Sequence, residues 1–369
     1  MRVCAFGSFD RSFDRSWILL EALEQSGADV SYCHFDFWAG HRHKTKLFPW
    51  RWLLLGGRYL AGLIGISWRF FQMPRADVLY VGYMGHLDLL CAWMLNLWRG
   101  STLVFDPCIS LYNTLVEDRQ LVRAGSFAAK MIRLLDVVPC RLADVVLCDT
   151  NCHAAYFENV VGVRRGKVHR VFVGAAEAWQ QARWSPPANG PFHVLFYAKF
   201  SPLHGVTAIL QAAARLTDED VHFTIVGGGQ LEEVVLEAAN DPGSAHLNWI
   251  PWLEQDALVD RMRTCHVALG IFGNTRKAAM VIPNKVFQAL AMGVPTITRD
   301  SPAIRELLED GISSILCGTS GAEIAEAVIA ARDDLDRLAG IAATGREAFE
   351  ANATHRALAE QFFQAVHVR

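Results

Sequence analysis

The residues best placed to do chemistry lie in one stretch of the second half, where Pro283-Asn284-Lys285 opens a run ending in Met292-Gly293-Val294-Pro295. An apolar strand at 267–271 enters a polar loop carrying Gly270 and Gly273. Pro283 then starts a helix over 284–292, Gly293 stops it, and Pro295 keeps it stopped before a β-branched strand at Thr296. Strand, loop, helix and strand make a βαβ unit, whose helix begins at the carboxyl edge of a parallel sheet. Such a helix start carries free N–H groups and about half a positive charge, so it attracts phosphate. Lys285 stands in that first turn, where a cation opposes the dipole and weakens the helix. A lysine placed against helix stability points to an anion; the competing reading is a solvated lysine on an ordinary surface helix.

The elements that must position this helix follow from alternation along the chain. Short apolar runs at 2–6, 29–33, 78–82, 102–106, 145–148 and 168–171 read as strands, with helices such as 16–25 and 87–98 between them. The second half repeats the pattern with strands at 192–197, 221–226, 246–249, 267–271, 296–298 and 314–316. Its helices are 206–216, 231–240, 254–262, 284–292 and 302–310, the last with Ser301 as N-cap and Pro302 at its first position. Two more helices run from 322 to the end. Alternation of this kind implies α/β architecture with doubly wound parallel sheets. The Pro- and Gly-rich stretch 181–191 reads as a linker between an N-terminal domain, 1–180, and a C-terminal domain, 192–345. The closing helix, 346–369, is expected to pack back on the N-terminal domain. Two facing sheets of this class leave a central cleft between their carboxyl edges, the default ligand site.

Composition narrows the classes. A chain of 369 residues with 52% hydrophobic and 20% charged residues is globular and long enough for two domains. A formal net charge of -3 argues against a nucleic-acid binder held by a global basic field. The nine cysteines form no CxxC pair, and Cys148 and Cys152 have no accompanying His or Cys cluster, so no metal site is expected and buried free thiols in a reducing cytosol fit best. Residues 1–7 read as a first strand and lack the apolar core of a signal peptide. One segment departs from the plan. From 42 to 75 the chain carries seven Lys or Arg residues and no acidic one, interleaved with Trp50, Trp52, Tyr59, Trp68, Phe70 and Phe71. Arg51, Arg58 and Arg69 interrupt it too often for a bilayer span. It suits a peripheral helix lying in a membrane interface on the cytoplasmic face, or equally a buried helical pair whose arginines reach water.

Several motifs stand in a familiar order: Phe6-Gly7-Ser8-Phe9-Asp10, Phe105-Asp106-Pro107, Tyr197-Ala198-Lys199-Phe200-Ser201-Pro202-Leu203-His204-Gly205-Val206, Ile225-Val226-Gly227-Gly228-Gly229-Gln230-Leu231, and Ile282-Pro283-Asn284-Lys285 through Pro295. Together they resemble the GT-B nucleotide-sugar glycosyltransferases, specifically the family-4 ("group 1") retaining enzymes. The resemblance covers most of the second half and is mainly architectural in the first. It implies that Lys199 is the first of a basic pair on the donor diphosphate, with His204 where a lysine is more usual. The family's pair of glutamates separated by seven residues is missing. Gln288 stands at the second position, where its amide can still hydrogen-bond a ribose, and Met280 falls near the first. That leaves main chain, Lys285, Asn274 or Thr275 to meet the donor sugar. Gly228 belongs to a turn resembling the family's Gly-x-Gly, Trp252 lies where relatives house the nucleobase, and Gly273, Pro283 and Asn284 would line the donor side. On the acceptor side the resemblance points to Gly7, Ser8, His86 and Asp88, and it places Asp106 at a strand end facing the ligand.

The implied reaction is sugar transfer from a nucleotide-diphosphate sugar to a saccharide or lipid-linked acceptor, with retention, as in cell-envelope polysaccharide or glycolipid synthesis. Lys199, Lys285 and the helix start would carry the leaving diphosphate, and no Asp-x-Asp run falls where a divalent ion would be held. No metal and no cofactor is expected beyond the nucleotide sugar as co-substrate, and no nucleic-acid partner. Two readings compete: a nucleotide-sugar epimerase on the same fold, which needs carboxylates that Met280 does not supply, and an inactive sugar-nucleotide-binding relative.

Overall fold

The computed structural model describes residues 1–9, 14–37, 49–241, 243–244 and 246–367, and the side chains of these outside 49–54. The stretch 42–48 of the basic segment and Asp10 of the first glycine motif therefore lie outside the described residues. The chain divides into two compact units. One holds Met1–Tyr112, Val122–Val173 and His355–Arg369; the other holds Asn113–Leu121 and Gly174–Thr354.

The first unit is built from β1 (Arg2–Gly7), α1 (Asp14–Gln25), β2 (Asp29–His34), α2 (Pro49–Gln72), β3 (Val78–Val81), α3 (His86–Arg99), β4 (Thr102–Cys108), α4 (Phe127–Leu142), β5 (Val145–Cys148), α5 (Asn151–Tyr156) and β6 (Val168–Arg170). All six strands are parallel, in the order β2-β1-β3-β4-β5-β6. The interior strands β3 and β5 are wholly apolar and wholly buried, as strands covered on both faces must be. Right-handed crossovers send α1 to one face and α2, α3 and α4 to the other, because the chain reverses its direction of travel after β2. The last helix, His355–His367, packs on α1.

The second unit holds the π-helical turn Asn113–Asp118 and, from 174 on, α6 (Glu177–Gln181), β7 (Phe192–Phe200), α7 (Val206–Arg215), β8 (Val221–Gly229), α8 (Glu232–Ala239), β9 (Leu247–Ile250), α9 (Gln255–Thr264), β10 (Val267–Leu269), α10 (Asn284–Met292), β11 (Thr296–Arg299), β12 (Ile315–Cys317), α11 (Gly321–Asp333) and α12 (Leu335–Asn352). The chain ends with α13, the helix His355–His367 of the first unit. Its sheet is again parallel and six-stranded, in the order β12-β11-β10-β7-β8-β9. Strand order reverses direction between β1 and β3 in one sheet and between β7 and β10 in the other, the points where open α/β sheets bind ligands.

Three expectations are corrected. Residues 302–310 form a short 3-10 turn, Ile304–Glu306, rather than a helix. Ser301 Oγ accepts from the Ile304 N–H at 3.2 Å, but the N-cap position of the turn is Ala303, and the Glu309 N–H goes to Ser313 Oγ at 2.8 Å instead of continuing a helix. The stretch after 321 makes three helices rather than two. Asp334 separates the first two, its side chain capping α12 through the Arg337 N–H at 3.0 Å. The unit boundary falls after Val173 and not at 181, and Asn113–Leu121, expected in the N-terminal domain, belongs to the second unit.

Candidate functional site

In the second unit the residues singled out from the sequence gather around the carboxyl ends of β7 and β10. β7 runs on to Phe200 by pairing with the glycines of β8, Lys199 opposite Gly228, which leaves Lys199 exposed at the strand end. This ladder needs Gly227, since a Cβ there would collide with the Ala198 carbonyl. A 3-10 turn, Pro202–His204, and Gly205 (φ 66°) lead into α7. That turn lies backbone to backbone against the loop after β10: Phe272 N–H donates to His204 O and Gly273 N–H to Leu203 O, each at 3.1 Å. Gly205 and Gly273 make this approach possible, because a Cβ on either would meet the other segment's main chain.

α10 starts beside this junction, with Pro283 as its N-cap residue and Asn284 at its first position. Lys285 follows and is only 6% exposed. Its Nζ lies 4.1 Å from the centroid of the Phe196 ring and 5.7 Å from that of Tyr197, and it makes no hydrogen bond. Burial drives its pKa well below the usual 10.5. The cation–π contact returns part of what desolvation costs, and an ammonium in that position still lacks an acceptor. Gln288, one turn on, accepts from the Tyr197 hydroxyl, whose ring stacks on Trp179 at a centroid distance of 6.4 Å.

His204 differs from its expected role as a second cation. Its Nδ1 pairs with Ser201 Oγ at 2.9 Å. Burial first, then the charges of Lys285, Lys277 and Arg119, push its pKa well below 6.5. It is therefore a neutral imidazole at neutral pH, able to hydrogen-bond a ligand but not to neutralise one. Gly228, a donor-side candidate, stands in a turn closed by the chain itself. The Gly229 N–H already holds a carboxylate, Glu232 Oε2 at 3.1 Å, and a Cβ on Gly228 would sit 2.5 Å from the same oxygen. Trp252 is exposed just beyond the edge strand β9, its Nε1 donating to Glu254 Oε1 at 3.1 Å. Of the residues named as substitutes for the missing glutamate, Thr275 donates to Asp118 Oδ1 at 2.9 Å and Asn274 accepts from Thr319 Oγ1 at 2.6 Å.

Sequence reasoning missed Lys277. It is buried on the 3-10 turn Lys277–Ala279 and donates to Thr114 Oγ1 at 2.9 Å. Its partner lies 163 positions earlier in the chain, so no local pattern announces the pair. A second lysine on the short segment that precedes the 283–292 motif was the available signal. Lys277, Lys285 and Arg119 all act on the His204 ring, so this edge of the sheet is a cationic cluster around a neutral imidazole.

In the first unit the acceptor-side candidates come together as a buried hydrogen-bonded group. Asp88 Oδ2 accepts from Ser8 N–H at 2.7 Å and Ser8 Oγ at 2.9 Å, and Oδ1 accepts from the Tyr59 hydroxyl at 2.5 Å. Burial raises the Asp88 pKa against these bonds. Gly7 (φ 122°) leaves room for that carboxylate, since a Cβ would lie 2.6 Å from Asp88 Oδ2. The close approach expected of a ligand at Gly7 and Ser8 is thus made by the chain's own aspartate. His86 is buried with Nε2 3.4 Å from Asp136 Oδ1 and its ring edge-on to Phe105. Asp106 is corrected most clearly. It is 0% exposed inside β4, its Oδ2 bonded to Arg15 Nε at 2.9 Å and to the Tyr80 hydroxyl at 3.0 Å. Arg15 extends this to the carbonyls of Val171 and Phe172, so Asp106 anchors the sheet and is not presented to a ligand.

With this geometry in hand, comparison with known proteins is informative. The protein superposes on HepE (Alr3699) of Anabaena in complex with UDP at TM-score 0.70 and 14% identity, over 99% of each chain. Sucrose-phosphate synthase from Thermosynechococcus elongatus superposes at TM-score 0.73 and 13% identity, over 98% of this chain and 97% of that one. The apo form of the lipopolysaccharide outer core galactosyltransferase WaaB does so at 0.60 and 15%, over 99% of each. The two parallel sheets are those of the GT-B fold. Residues 191–334, which contain β7, α10, His204, Lys277 and Lys285, match the family described as "Glycosyl transferases group 1". No curated protein sequence matches the chain.

Proposed function

We propose that the protein is a glycosyltransferase that moves a sugar from a nucleotide-diphosphate donor to a saccharide or lipid-linked acceptor, with retention of configuration and without a metal ion. One observation carries this reading: the Lys285 Nζ, buried and without a hydrogen-bond partner, in the first turn of α10. Placing a cation there costs stability, and a diphosphate supplies the missing acceptor together with the compensating charge. The group 1 family match and the UDP, UDP-glucose and glucose bound by Anabaena HepE support the donor class.

In the transfer step the bond from the sugar's anomeric carbon to the phosphate oxygen breaks and the acceptor oxygen bonds the same face of that carbon. The acceptor proton passes to a leaving phosphate oxygen. The leaving group gains negative charge, which Lys199, Lys285 and the α10 N–H groups offset, with His204 as a neutral hydrogen-bond partner. Fixed cations take the place a divalent ion has in other transferases. Gln288 meets the ribose and Trp252 the base. The setting that best fits such a donor and a lipid-linked acceptor is cell-envelope polysaccharide or glycolipid assembly on the cytoplasmic side.

The test is release of nucleoside diphosphate from a panel of nucleotide sugars, with and without saccharide and lipid-linked acceptors. Release that requires an acceptor, with the product's anomeric configuration unchanged and activity retained in chelator, is expected. Conversion of the sugar nucleotide without acceptor would make the protein an epimerase, and binding without release an inactive relative.

A further inference from the structure

The first unit carries an apolar surface that the donor chemistry does not use. On α2, Leu60, Ile64, Trp68 and Phe71 recur at helical spacing and are all exposed, Trp68 at 70%. On α3, Met94, Leu97 and Trp98 are exposed, Trp98 at 74%. On α4, Phe127 (79% exposed), Met131 and Leu134 repeat the pattern. These stripes are neighbours. α2 packs on α3 and α3 on α4, and the Phe71 and Trp98 rings meet edge to face at 6.5 Å. Soluble surfaces rarely gather this many large apolar side chains in one place.

Charge says what covers them. The only acidic residues in the three helices are Asp88 and Asp136, and both are buried. The exposed charged side chains described on the three helices are Arg58, Arg69, Lys130, Arg133 and Arg141, all cationic although the whole chain is net negative, with Arg75 and Arg123 beside them and the exposed acidic neighbours Asp36 and Asp77 on adjoining loops. A second copy of the chain bound through this face would set arginines against arginines. An apolar partner without charge would leave them unmatched.

We propose that α2, α3 and α4 together form a docking surface for an anionic lipid bilayer, with the tryptophans in the headgroup layer and the arginines on lipid phosphates. Tryptophan and arginine suit that depth, the ring amphipathic and the cation reaching outward on an apolar stem. No helix among the described residues is long and apolar enough to cross a membrane, so the contact lies in the interface. The surface is wider than the 42–75 segment singled out in the sequence, since two of its three helices lie outside it. The inference stands on the first unit alone and holds or fails independently of the donor reading.

The experiment is co-sedimentation of the full chain with vesicles of phosphatidylcholine alone and of phosphatidylcholine with about a third phosphatidylglycerol, at low and high salt. Strong binding to the anionic vesicles, falling at least tenfold in high salt and at least tenfold weaker on phosphatidylcholine alone, is expected. Trp68→Ser with Trp98→Ser and Phe127→Ser should cut binding by at least a hundredfold. Arg69→Gln with Arg133→Gln should cut it about tenfold and lower the salt sensitivity. Leu335→Ser, which removes an exposed apolar side chain on α12, outside this face, should change nothing. Circular dichroism and thermal unfolding check that every variant is folded. Equal binding to both vesicle types, binding insensitive to these substitutions, or a dimer in light scattering that the tryptophan substitutions dissociate would each overturn the proposal.

Discussion

The carboxyl edges of the two sheets are built alike and charged in opposite ways. At the first, the buried ionisable groups are mostly carboxylates: Asp88 with Ser8 and Tyr59, Asp106 with Arg15 and Tyr80, Asp136 with Ser110 Oγ and the Leu111 and Tyr112 N–H groups, and Asp149 with His153. Each has its partners within the unit. At the second, the buried groups are mostly cations, Lys277 and Lys285 beside the carboxylate Asp118 that Thr275 holds, and Lys285 has only ring faces. A buried charge with partners holds a fold together; one without them costs stability that only a ligand can return. The comparison therefore assigns the first edge chiefly to architecture and the second to binding.

Four substitutions break or sharpen that contrast. Arg15→Met strips Asp106 of its counter-charge inside β4 and should cost about 3–5 kcal/mol in chemical denaturation, with unchanged turnover per folded molecule. A stable variant with low turnover would return Asp106 to the catalytic side. Lys199→Ala should lower transfer about a thousandfold at an unchanged Tm, since the residue is exposed and its charge is needed only as the diphosphate leaves. Near-normal turnover would remove Lys199 from the donor site.

Lys285→Met should act in two directions at once, lowering transfer about a hundredfold while stabilising the free protein by about 1–3 kcal/mol. A loss of stability would mean the ammonium has a structural partner. Its pH dependence follows from linkage. The folded pKa lies well below 10.5, so between those values the unfolded chain binds the extra proton, and stability of the free protein rises with pH across that window. The methionine variant should lose that rise, which thermal unfolding in a buffer series would show. The smallest effect is expected of Gln288→Glu, which keeps an acceptor for the Tyr197 hydroxyl and should change the donor KM two- to fivefold without altering Tm.

The strands and most helices were legible because buried parallel strands read as short apolar runs between turn residues, as Val78–Val81 and Val145–Cys148 do. The α10 helix was legible to the residue, since Pro283 and Gly293 mark both ends. The false helix at 302–310 had good capping signals, and what ended it was a competing local turn: Ser313, four positions on, takes the Glu309 N–H. In the site, residue type and order picked out Lys285 and Gln288, but nothing in the sequence distinguishes an exposed strand-end aspartate from Asp106. Its arginine is 91 positions away. Lys277 stayed hidden for the same reason.

The division of the chain sets how it can be cut and when it can be finished. The segment Asn113–Leu121 leaves the first unit, joins the second, and returns, while α13 leaves the second for the first. A fragment begun at the expected linker would lack Thr114 and Asp118, stranding Lys277 and Thr275 without the groups they hold. The donor-side unit is therefore not an excisable module. During synthesis its part in 113–121 is made early and waits, whereas the packing of α13 on α1 closes only after the whole of 174–354 has been made between them.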